Sequence, residues 1–393
     1  MGVSAPGTVL VNAGPWLPVP PDGYGGIENV IATLVPPLRR RGVRVVLCAA
    51  AGSTLEVDEL VQTLPRPMFE HIAEPYNQMM GVAHAHMQGV VATLRRLGDQ
   101  VDLVHDHLEV VGPGVLGAMG EAAPPVLQTL HWDLRKHPDF YGRFDGGGRI
   151  FFNGVSESQL ARAPEQLRRQ ALGAVPLGVD TTRVPFQAEK GDAFLVLGRI
   201  AEIKGQDLAA HACRAGGWRL DLAGPVAGVP GPEALRGLLD GPGSPLTGNA
   251  DVRFYLDRVR PLEDGTRVRW VGSLTGAHKL DVLGRARALL APVRWDEPGG
   301  TAIVEALACG TPVIGLRRGA LATLVEHGVT GFLADEPEEL VGLLARAGEI
   351  HPADCRRAAE ERFSAEAMAE AYLALYRTVL ERAPRLSTPA PPG

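Results

Sequence analysis

Short apolar runs alternate along the chain with longer stretches in which apolar residues recur every three or four positions. The short runs are rich in Val, Leu and Ile and predict buried β-strands, whereas the longer stretches predict amphipathic helices. This alternation is typical of α/β proteins with parallel sheets. In the first half of the chain the predicted strands are TVLVNAG (8–14), VRVVLCAA (43–50), VDLVHDH (101–107), PVLQTLH (125–131) and RIFFNGVS (149–156).

A second, similar series fills the other half. Parallel sheets bind ligands at the carboxyl edges of their strands, and two such sheets imply a cleft between them. A length of 393 residues also exceeds what one hydrophobic core usually serves, so we expect two domains. The predicted strands of this series are AFLVLGRI (193–200), RLDLAGP (219–225), RVRWVGSL (267–274), ALLAPVRW (288–295) and TPVIGLRRG (311–319).

The predicted boundaries follow from these two series. We expect Rossmann-like domains at 1–183 and 184–364, a long amphipathic helix at 365–382 that packs back on the N-terminal domain, and a disordered tail at 383–393. Residues 224–265 are dense in Gly and Pro and predict a long loop with one helix.

Composition narrows the possible partners. The residues are 45% hydrophobic and 21% charged, as in soluble enzymes, and a net charge of -6 gives no reason to expect nucleic acid or an anionic membrane. The N-terminal residues lack a signal peptide pattern and an apolar run that could span a bilayer. Four scattered cysteines without a C-x-x-C pair predict free thiols, and hence the cytoplasm.

The stretch WDEPGGTAIVEALACGTPVIG (295–315) carries the first candidate site. Gly299 and Gly300 precede a predicted helix, whose exposed first amides would bind phosphate. Glu305 lies about one turn into this helix and leans back toward its start, and Glu297 precedes it. Carboxylates suit hydroxyl pairs, so a nucleotide sugar fits this order of groups. The alternative is a tight turn with a structural glutamate.

The segment GRIAEIKG (198–205) supplies cations after the first strand of the second series. Arg199 and Lys204 would neutralise a diphosphate, and the alternative is a solvated loop. Lysine is a rare choice here, because only four of the 39 basic residues are lysines. Lys279 follows another strand end and is a third candidate, with a lysine on a helix surface as the alternative.

Together these motifs resemble the retaining nucleotide-sugar glycosyltransferases of family 4, which have the GT-B architecture of two facing Rossmann-like domains. YGGIENVIATL (24–34) is similar to the family's glycine loop, GRIAEIKG to its diphosphate clamp, and EPGGTAIVEALACGTPVIG (297–315) to its two-glutamate signature. GVTGFL (328–333) and RFSAEAMAEAYLALYRTVL (362–380) resemble its C-terminal elements. The resemblance covers nearly the whole chain.

The resemblance implies a role for each candidate residue. Arg199 and Lys204 would hold the diphosphate, Glu297 the sugar hydroxyls and Glu305 the ribose, with His131 beside the transferred sugar. The predicted catalytic residues are His131, Arg199, Lys204 and Glu297. The other residues implied in donor binding are Gly25 and Gly26 in the N-terminal loop, Leu274 and Lys279 near the base, and Gly299, Gly300 and Thr301 at the distal phosphate. The family often has a large apolar residue where Gly299 stands, which leaves the sugar open.

Histidines and acids at strand ends suggest the acceptor side. Asp106 and His107 end one predicted strand and His131 ends the next, so all three are candidates to line an acceptor cleft. The alternatives are a structural cap, or a metal site like that of amidohydrolases built with His84 and His86. We expect no metal, because nothing in the sequence brings these pairs together, and we expect His84 and His86 on a helix surface.

The sequence thus predicts a glycosyltransferase that needs no cofactor. No D-x-D motif occurs, so side-chain cations would replace a metal at the diphosphate. We expect the donor to be a UDP-sugar. The acceptor hydroxyl would belong to a small molecule, a glycan or a lipid-linked molecule, and we expect the acceptor site in the loops at 62–90 and 132–148. The alternatives are a nucleotide-sugar 2-epimerase or phosphorylase, a metal hydrolase, and a nucleotide-sugar-binding protein without catalysis. The oligomeric state stays open.

Overall fold

The computed structural model describes residues 5–23, 25–73, 75–240 and 245–384. These residues form two compact units. Unit 1 contains the chain up to Gly178 together with the residues from Ala365 onward, and unit 2 contains Val179–Ser364. Most of the predicted tail, 385–393, and Tyr24 of the glycine loop lie outside the described residues.

Unit 1 is built on a parallel sheet. Its described residues include seven strands in the order β3-β2-β1-β4-β5-β6-β7. The strands are β1 (Thr8–Gly14), β2 (Arg44–Ala49), β3 (Glu59–Gln62), β4 (Leu103–Asp106), β5 (Val126–Leu130), β6 (Ile150–Gly154) and β7 (Ala171–Ala174). The α-helices before the last one are α1 (Gly26–Arg40), α2 (Tyr76–Leu97), α3 (Val111–Met119), α4 (Pro138–Tyr141), α5 (Glu157–Ala161) and α6 (Glu165–Arg168). Short 3-10 turns lie at Phe69–Ala73, Gly98–Gln100, Gly120–Ala122 and Leu134–Lys136.

The strand order of unit 1 reverses between β1 and β4. The chain leaves β1 toward β2 on one side and returns to β4 on the other, so the loops after β1 and β4 diverge at the carboxyl edge. Asn12 and Asp106 are register partners at that edge. Such reversal points are where open parallel sheets form ligand crevices.

Unit 2 repeats this architecture. Its described residues contain six parallel strands in the order β10-β9-β8-β11-β12-β13. They are β8 (Ala193–Leu197), β9 (Arg219–Ala223), β10 (Val268–Gly272), β11 (Leu289–Ala291), β12 (Val313–Leu316) and β13 (Gly331–Ala334). The helices are α7 (Gln206–Gly216), α8 (Pro232–Leu239), α9 (Ala250–Phe254), α10 (Gly276–Arg285), α11 (Thr301–Ala308), α12 (Leu321–Leu324), α13 (Leu340–Ala345) and α14 (Pro352–Arg362). Further 3-10 turns lie at Glu202–Lys204, Pro245–Gly248, Arg260–Leu262, Pro337–Glu339 and Ala347–Glu349.

The last helix, α15 (Ala365–Arg382), has the predicted bounds and packs in unit 1. Its start forms ion pairs with the end of α1, where Glu366 contacts Arg40 and Arg41. Its buried face carries Tyr376, whose hydroxyl lies 2.7 Å from Nδ1 of His105 on β4. The predicted fold class, two Rossmann-like domains with a C-terminal helix that crosses back, is therefore confirmed.

Some details differ from the sequence prediction. The chain divides between Gly178 and Val179, five residues before the expected boundary after 183, because the amide of Val179 donates to the carbonyl of Phe363 at 2.8 Å and so joins unit 2. The prediction of a long loop with one helix at 224–265 is wrong, because the described part of this segment contains two helices, α8 and α9, two 3-10 turns and a π-helical turn at Tyr255–Val259. None of the described helices is long and apolar enough to cross a membrane.

Candidate functional site

A glycine opens α11 in unit 2. Gly300 caps the helix in the left-handed region, with φ at +66°, and a Cβ there would lie 2.8 Å from Cδ1 of Ile303 and 3.0 Å from Cδ1 of Leu324. Gly300 therefore lets the chain enter the helix between packed side chains. No side chain caps the first amides of α11. The amides of Ile303 and Val304 donate to the carbonyl of Gly300, which leaves the amides before them as the donors of the helix start. The predicted helix at Thr301 is confirmed.

Lys204 reaches the carboxylate of Glu297. Its ammonium lies 2.5 Å from Oε2 of Glu297, and the indole Nε1 of Trp295 donates to the same oxygen at 3.0 Å. The side chains of Lys204 and Glu297 are 26% and 14% exposed, so the pair is mostly buried and a part of each side chain reaches the surface. Two predicted catalytic residues, 93 positions apart, are thus in direct contact.

Backbone contacts hold this pair in place. Lys204 ends a 3-10 turn after β8, and Gly205 follows it with φ at +72°. A Cβ on Gly205 would lie only 2.0 Å from the carbonyl oxygen of Pro292. On the other side, the amide of Ala320 donates to the carbonyl of Glu297 at 2.7 Å. The alternative of a freely solvated loop for Lys204 is therefore wrong.

A second ion pair joins Lys279 on α10 to Glu305 on α11. Nζ of Lys279 lies 2.7 Å from Oε1 of Glu305, and the side chains are 26% and 17% exposed. Lys279 is on a helix, but it does not extend into solvent as a surface lysine would. Leu274 precedes α10 and is half-buried. Both glutamates of the signature thus have an ammonium partner.

Arg199 has a different partner. Its guanidinium Nη1 lies 2.6 Å from Oδ2 of Asp251 at the start of α9, and the side chain is about half exposed. The sequence did not suggest Asp251, because this acid lies in the segment predicted as a loop. The structure thus gives Lys204 and Arg199 separate carboxylate partners.

In unit 1 the predicted glycine loop leads into α1. A Cβ on Gly25 would lie 2.6 Å from Cγ of Pro21, whereas one on Gly26 would meet nothing within 4 Å. Glu28 follows and is buried. Burial raises the pKa of Glu28 from 4.5 to about 7, against hydrogen bonds with the backbone of Glu28 and Leu17 that lower it. The sequence prediction overlooked this carboxyl group.

His131 is paired with His107. Nε2 of His131 lies 2.9 Å from Nδ1 of His107, and Nε2 of His107 is buried without a hydrogen-bond partner in the described part of the chain. Burial lowers the pKa of His131 to about 4 and that of His107 well below its usual value, so both rings are neutral at pH 7. The backbone amides of His131 and Trp132 donate to Oε1 of Glu109 at 2.5 and 2.9 Å, which fixes the loop.

These contacts select one tautomer. If His131 donated through Nε2, His107 would carry a buried N–H at its own Nε2 with no acceptor. If His107 donates through Nδ1, its Nε2 keeps only a lone pair without a partner. A buried N–H without an acceptor is rarer in proteins than a buried lone pair without a donor, so this second arrangement is favoured. His131 then carries its proton on Nδ1 and offers a donor rather than a base.

Asp106 belongs to a buried polar chain instead of an open cleft. Its Oδ1 accepts from Nδ2 of Asn12 at 2.7 Å, and Oδ1 of Asn12 lies 2.5 Å from Nε2 of His86. Burial raises the pKa of Asp106 to about 7. His86 is fully buried, so its predicted place on a helix surface is wrong, whereas His84 is exposed as expected. The described residues contain no group of three His, Cys, Asp or Glu placed to hold a metal.

Two family models together match both halves of the chain. The model of Glycosyl transferases group 1 matches residues 180–362, and that of Glycosyltransferase Family 4 matches residues 24–183. The D-inositol 3-phosphate glycosyltransferase of Mycobacterium bovis (strain BCG / Pasteur 1173P2) is 32% identical over 385 residues, which cover 90% of this chain and 70% of that protein.

Solved structures share the fold. AviGT4, a glycosyltransferase involved in avilamycin A biosynthesis, is 27% identical with a TM-score of 0.64, covering 96% of this chain and 98% of that chain. Anabaena Alr3699/HepE, solved in complex with UDP and glucose, is 18% identical with a TM-score of 0.62, covering 94% and 99%. The two Rossmann-like units are those of a GT-B glycosyltransferase. The chain belongs to glycosyltransferase family 4, as its motifs indicate.

Proposed function

We propose that this glycosyltransferase moves a sugar from a UDP-sugar to a hydroxyl of its acceptor, with retention of the anomeric configuration and without a divalent metal. The observation that carries the proposal is the partly exposed contact between Lys204 and Glu297. Glu297 lies three residues before Gly300, where α11 starts. The ammonium of Lys204 matches a diphosphate, and the carboxylate of Glu297 matches sugar hydroxyls. The amides at the start of α11 match the terminal phosphate. UDP is favoured because Alr3699/HepE has been solved with UDP and glucose.

Each residue then has one task. Lys204 and Arg199 balance the charge of the diphosphate, the amides of Gly299 to Thr301 bind its distal phosphate, and Glu297 accepts from sugar hydroxyls. Glu305 accepts from the ribose hydroxyls, with Lys279 and Leu274 near the base. Gly25 and Gly26 in the N-terminal loop are assigned to donor binding, and His131 donates to the sugar or the acceptor.

In the reaction, the bond between the anomeric carbon and the diphosphate oxygen breaks while the acceptor oxygen bonds to the same face. The departing oxygen takes the acceptor's proton, so no enzymic base is required. Negative charge grows on the diphosphate as the sugar leaves, and Lys204 stabilises it in the transition state. We also propose that the reaction occurs in the cytoplasm, since the four cysteines are free and buried.

The proposal is tested by the melting temperature in the presence of a panel of nucleotide sugars with different bases. A ligand at about 100 times its dissociation constant adds about 2.7 kcal/mol to the free energy of unfolding. We expect UDP-sugars to stabilise the protein with and without chelator. Stabilisation by none of them would remove the proposal, and turnover that stops with chelator and returns with magnesium would remove its metal-free part. D-Inositol 3-phosphate, which appears in the name of the relative from Mycobacterium bovis, is one acceptor to test.

A further inference from the structure

Unit 1 contains a cavity of about 50 Å³ whose occupant the predicted roles leave open. It is bounded by Ile27, next to the glycine loop, by His107, and by Trp132, next to His131. Trp132, Met79 and Met80 lie in the two loops predicted for the acceptor, at 132–148 and 62–90, and the proposed function places the neighbouring His131 at the sugar or the acceptor. Its remaining walls include Trp16, Met79, Met80 and Ala83.

The titratable groups that line this cavity are Glu109, His107 and His137, and burial lowers the pKa of both histidines, so neither carries a positive charge at pH 7. Among the described residues that line it there is no Lys or Arg. Glu109 is occupied by the amides of His131 and Trp132 and lies 3.4 Å from the hydroxyl of Tyr141. Lys136 is exposed, and its ammonium lies 4.3 Å from the ring centre of Trp132, outside the walls of the cavity.

A phosphate inside such walls would lose its water without gaining a counter-charge, which costs several kcal/mol. An apolar group loses nothing of this kind, and methionine side chains adapt to its shape. Size narrows the choice further. An engineered cavity of about 150 Å³ binds benzene. The present cavity, with about 50 Å³, is a third of that volume and suits a small substituent rather than a ring.

We propose that this cavity binds a small apolar substituent, such as a methyl or ethyl group, of an uncharged acceptor. The inference rests on the proposed function, because it names the substrate class of the same reaction. The proposed cavity ligand distinguishes this chain from an enzyme whose acceptor carries a phosphate at the position of the cavity.

The test uses the full chain labelled with carbon-13 in its methionine methyl groups. Met79 and Met80 report from the cavity wall, Met368 on α15 is the internal reference, and single Met→Leu variants assign the signals. The probes are 1-propanol, glycerol, which has the same carbon chain but more hydroxyls, and D-inositol 3-phosphate. We expect 1-propanol to shift Met79 and Met80 at a concentration roughly tenfold below glycerol, the discrimination that one apolar group gives.

D-Inositol 3-phosphate should leave these two signals in place. The variant Ala83→Met, which fills the cavity, should lose the response to 1-propanol. Equal responses to 1-propanol and glycerol, no response to 1-propanol, or shifts of Met79 and Met80 by D-inositol 3-phosphate would each overturn the inference. UDP-sugar stabilisation measured on the same sample tests the proposed function separately, because it reports on the donor.

Discussion

Lys204 and Glu297 form a direct contact of 2.5 Å although 93 positions separate them in the chain. The contact is made inside unit 2, where the turn after β8 meets the segment after β11. Trp295 donates to the same carboxylate oxygen, so Glu297 is oriented by two donors before any ligand arrives. A site prepared in this way loses little entropy when a ligand binds.

Glu305→Gln should weaken UDP binding. We expect the carboxylate of Glu305 to accept from the ribose, and hydrogen bonds to charged groups contribute about 1.5 to 3 kcal/mol, so the dissociation constant should rise roughly ten- to a hundredfold. Titration calorimetry with UDP measures this. Glu338→Gln, at an exposed position of the same unit, is the control and should have no effect. Unchanged affinity in Glu305→Gln would leave Glu305 as the structural partner of Lys279.

His131 should carry its proton on Nδ1. Nitrogen-15 spectra of histidine-labelled protein distinguish the two tautomers, with His131→Gln to assign the signal. In His107→Asn, whose amide can still donate, the Nδ1 tautomer should persist. In His107→Leu it should give way to the Nε2 form. An Nε2 proton on His131 in the parent protein would contradict the assignment of the donor to His107.

Glu28→Gln should stabilise the protein at high pH. The folded pKa of Glu28 is raised from 4.5 to about 7, so both states hold the proton below pH 4.5, and between 4.5 and 7 only the folded state retains it. Stability therefore falls as pH rises through this window, by roughly 3 kcal/mol for such a shift. The amide has no such charge to bury.

Urea unfolding at pH 5 and pH 8 measures this effect. The gain from Glu28→Gln should be several times larger at pH 8 than at pH 5. Glu381→Gln at an exposed position of α15 is the matched control and should change stability by less than about 0.5 kcal/mol at either pH. Equal effects of Glu28→Gln at the two pH values would show that Glu28 is ionised in the folded protein.

The sequence predicts the buried strands well and the edge strands poorly. All ten strands expected from apolar runs are present. Nine of them are central parallel strands, which are covered on both faces, and the tenth, β10, is an edge strand that still buries alternate residues. β3 and β7 lie at the two edges of their sheet and have mostly half-buried residues, so they lack such a run. β13 has only four residues and begins at Gly331, where a Cβ would lie 1.9 Å from the carbonyl oxygen of Val313.

The candidate site was predictable in its residue types but not in its pairing. Motifs identified Lys204, Glu297, Lys279 and Glu305, but contacts between residues far apart depend on how strands are ordered in the sheet. The burial of His86 was missed although Met87 and Val90 near it on α2 are buried, because its polar partners Asn12 and Thr63 come from β1 and the loop after β3.

The most direct measurement of the central claim is the rate of UDP release, with a verified UDP-sugar and acceptor, for Lys204→Ala against the parent protein. Loss of a donor that stabilises charge in the transition state typically costs about a hundred- to a thousandfold in kcat, and we expect a decrease of that size. Arg183→Ala removes an exposed cation of the same unit and should not change the rate. If Lys204→Ala releases UDP within about threefold of the parent, as a surface change would, the diphosphate does not bind at Lys204, and the roles of Glu297 and Glu305 are wrong with it.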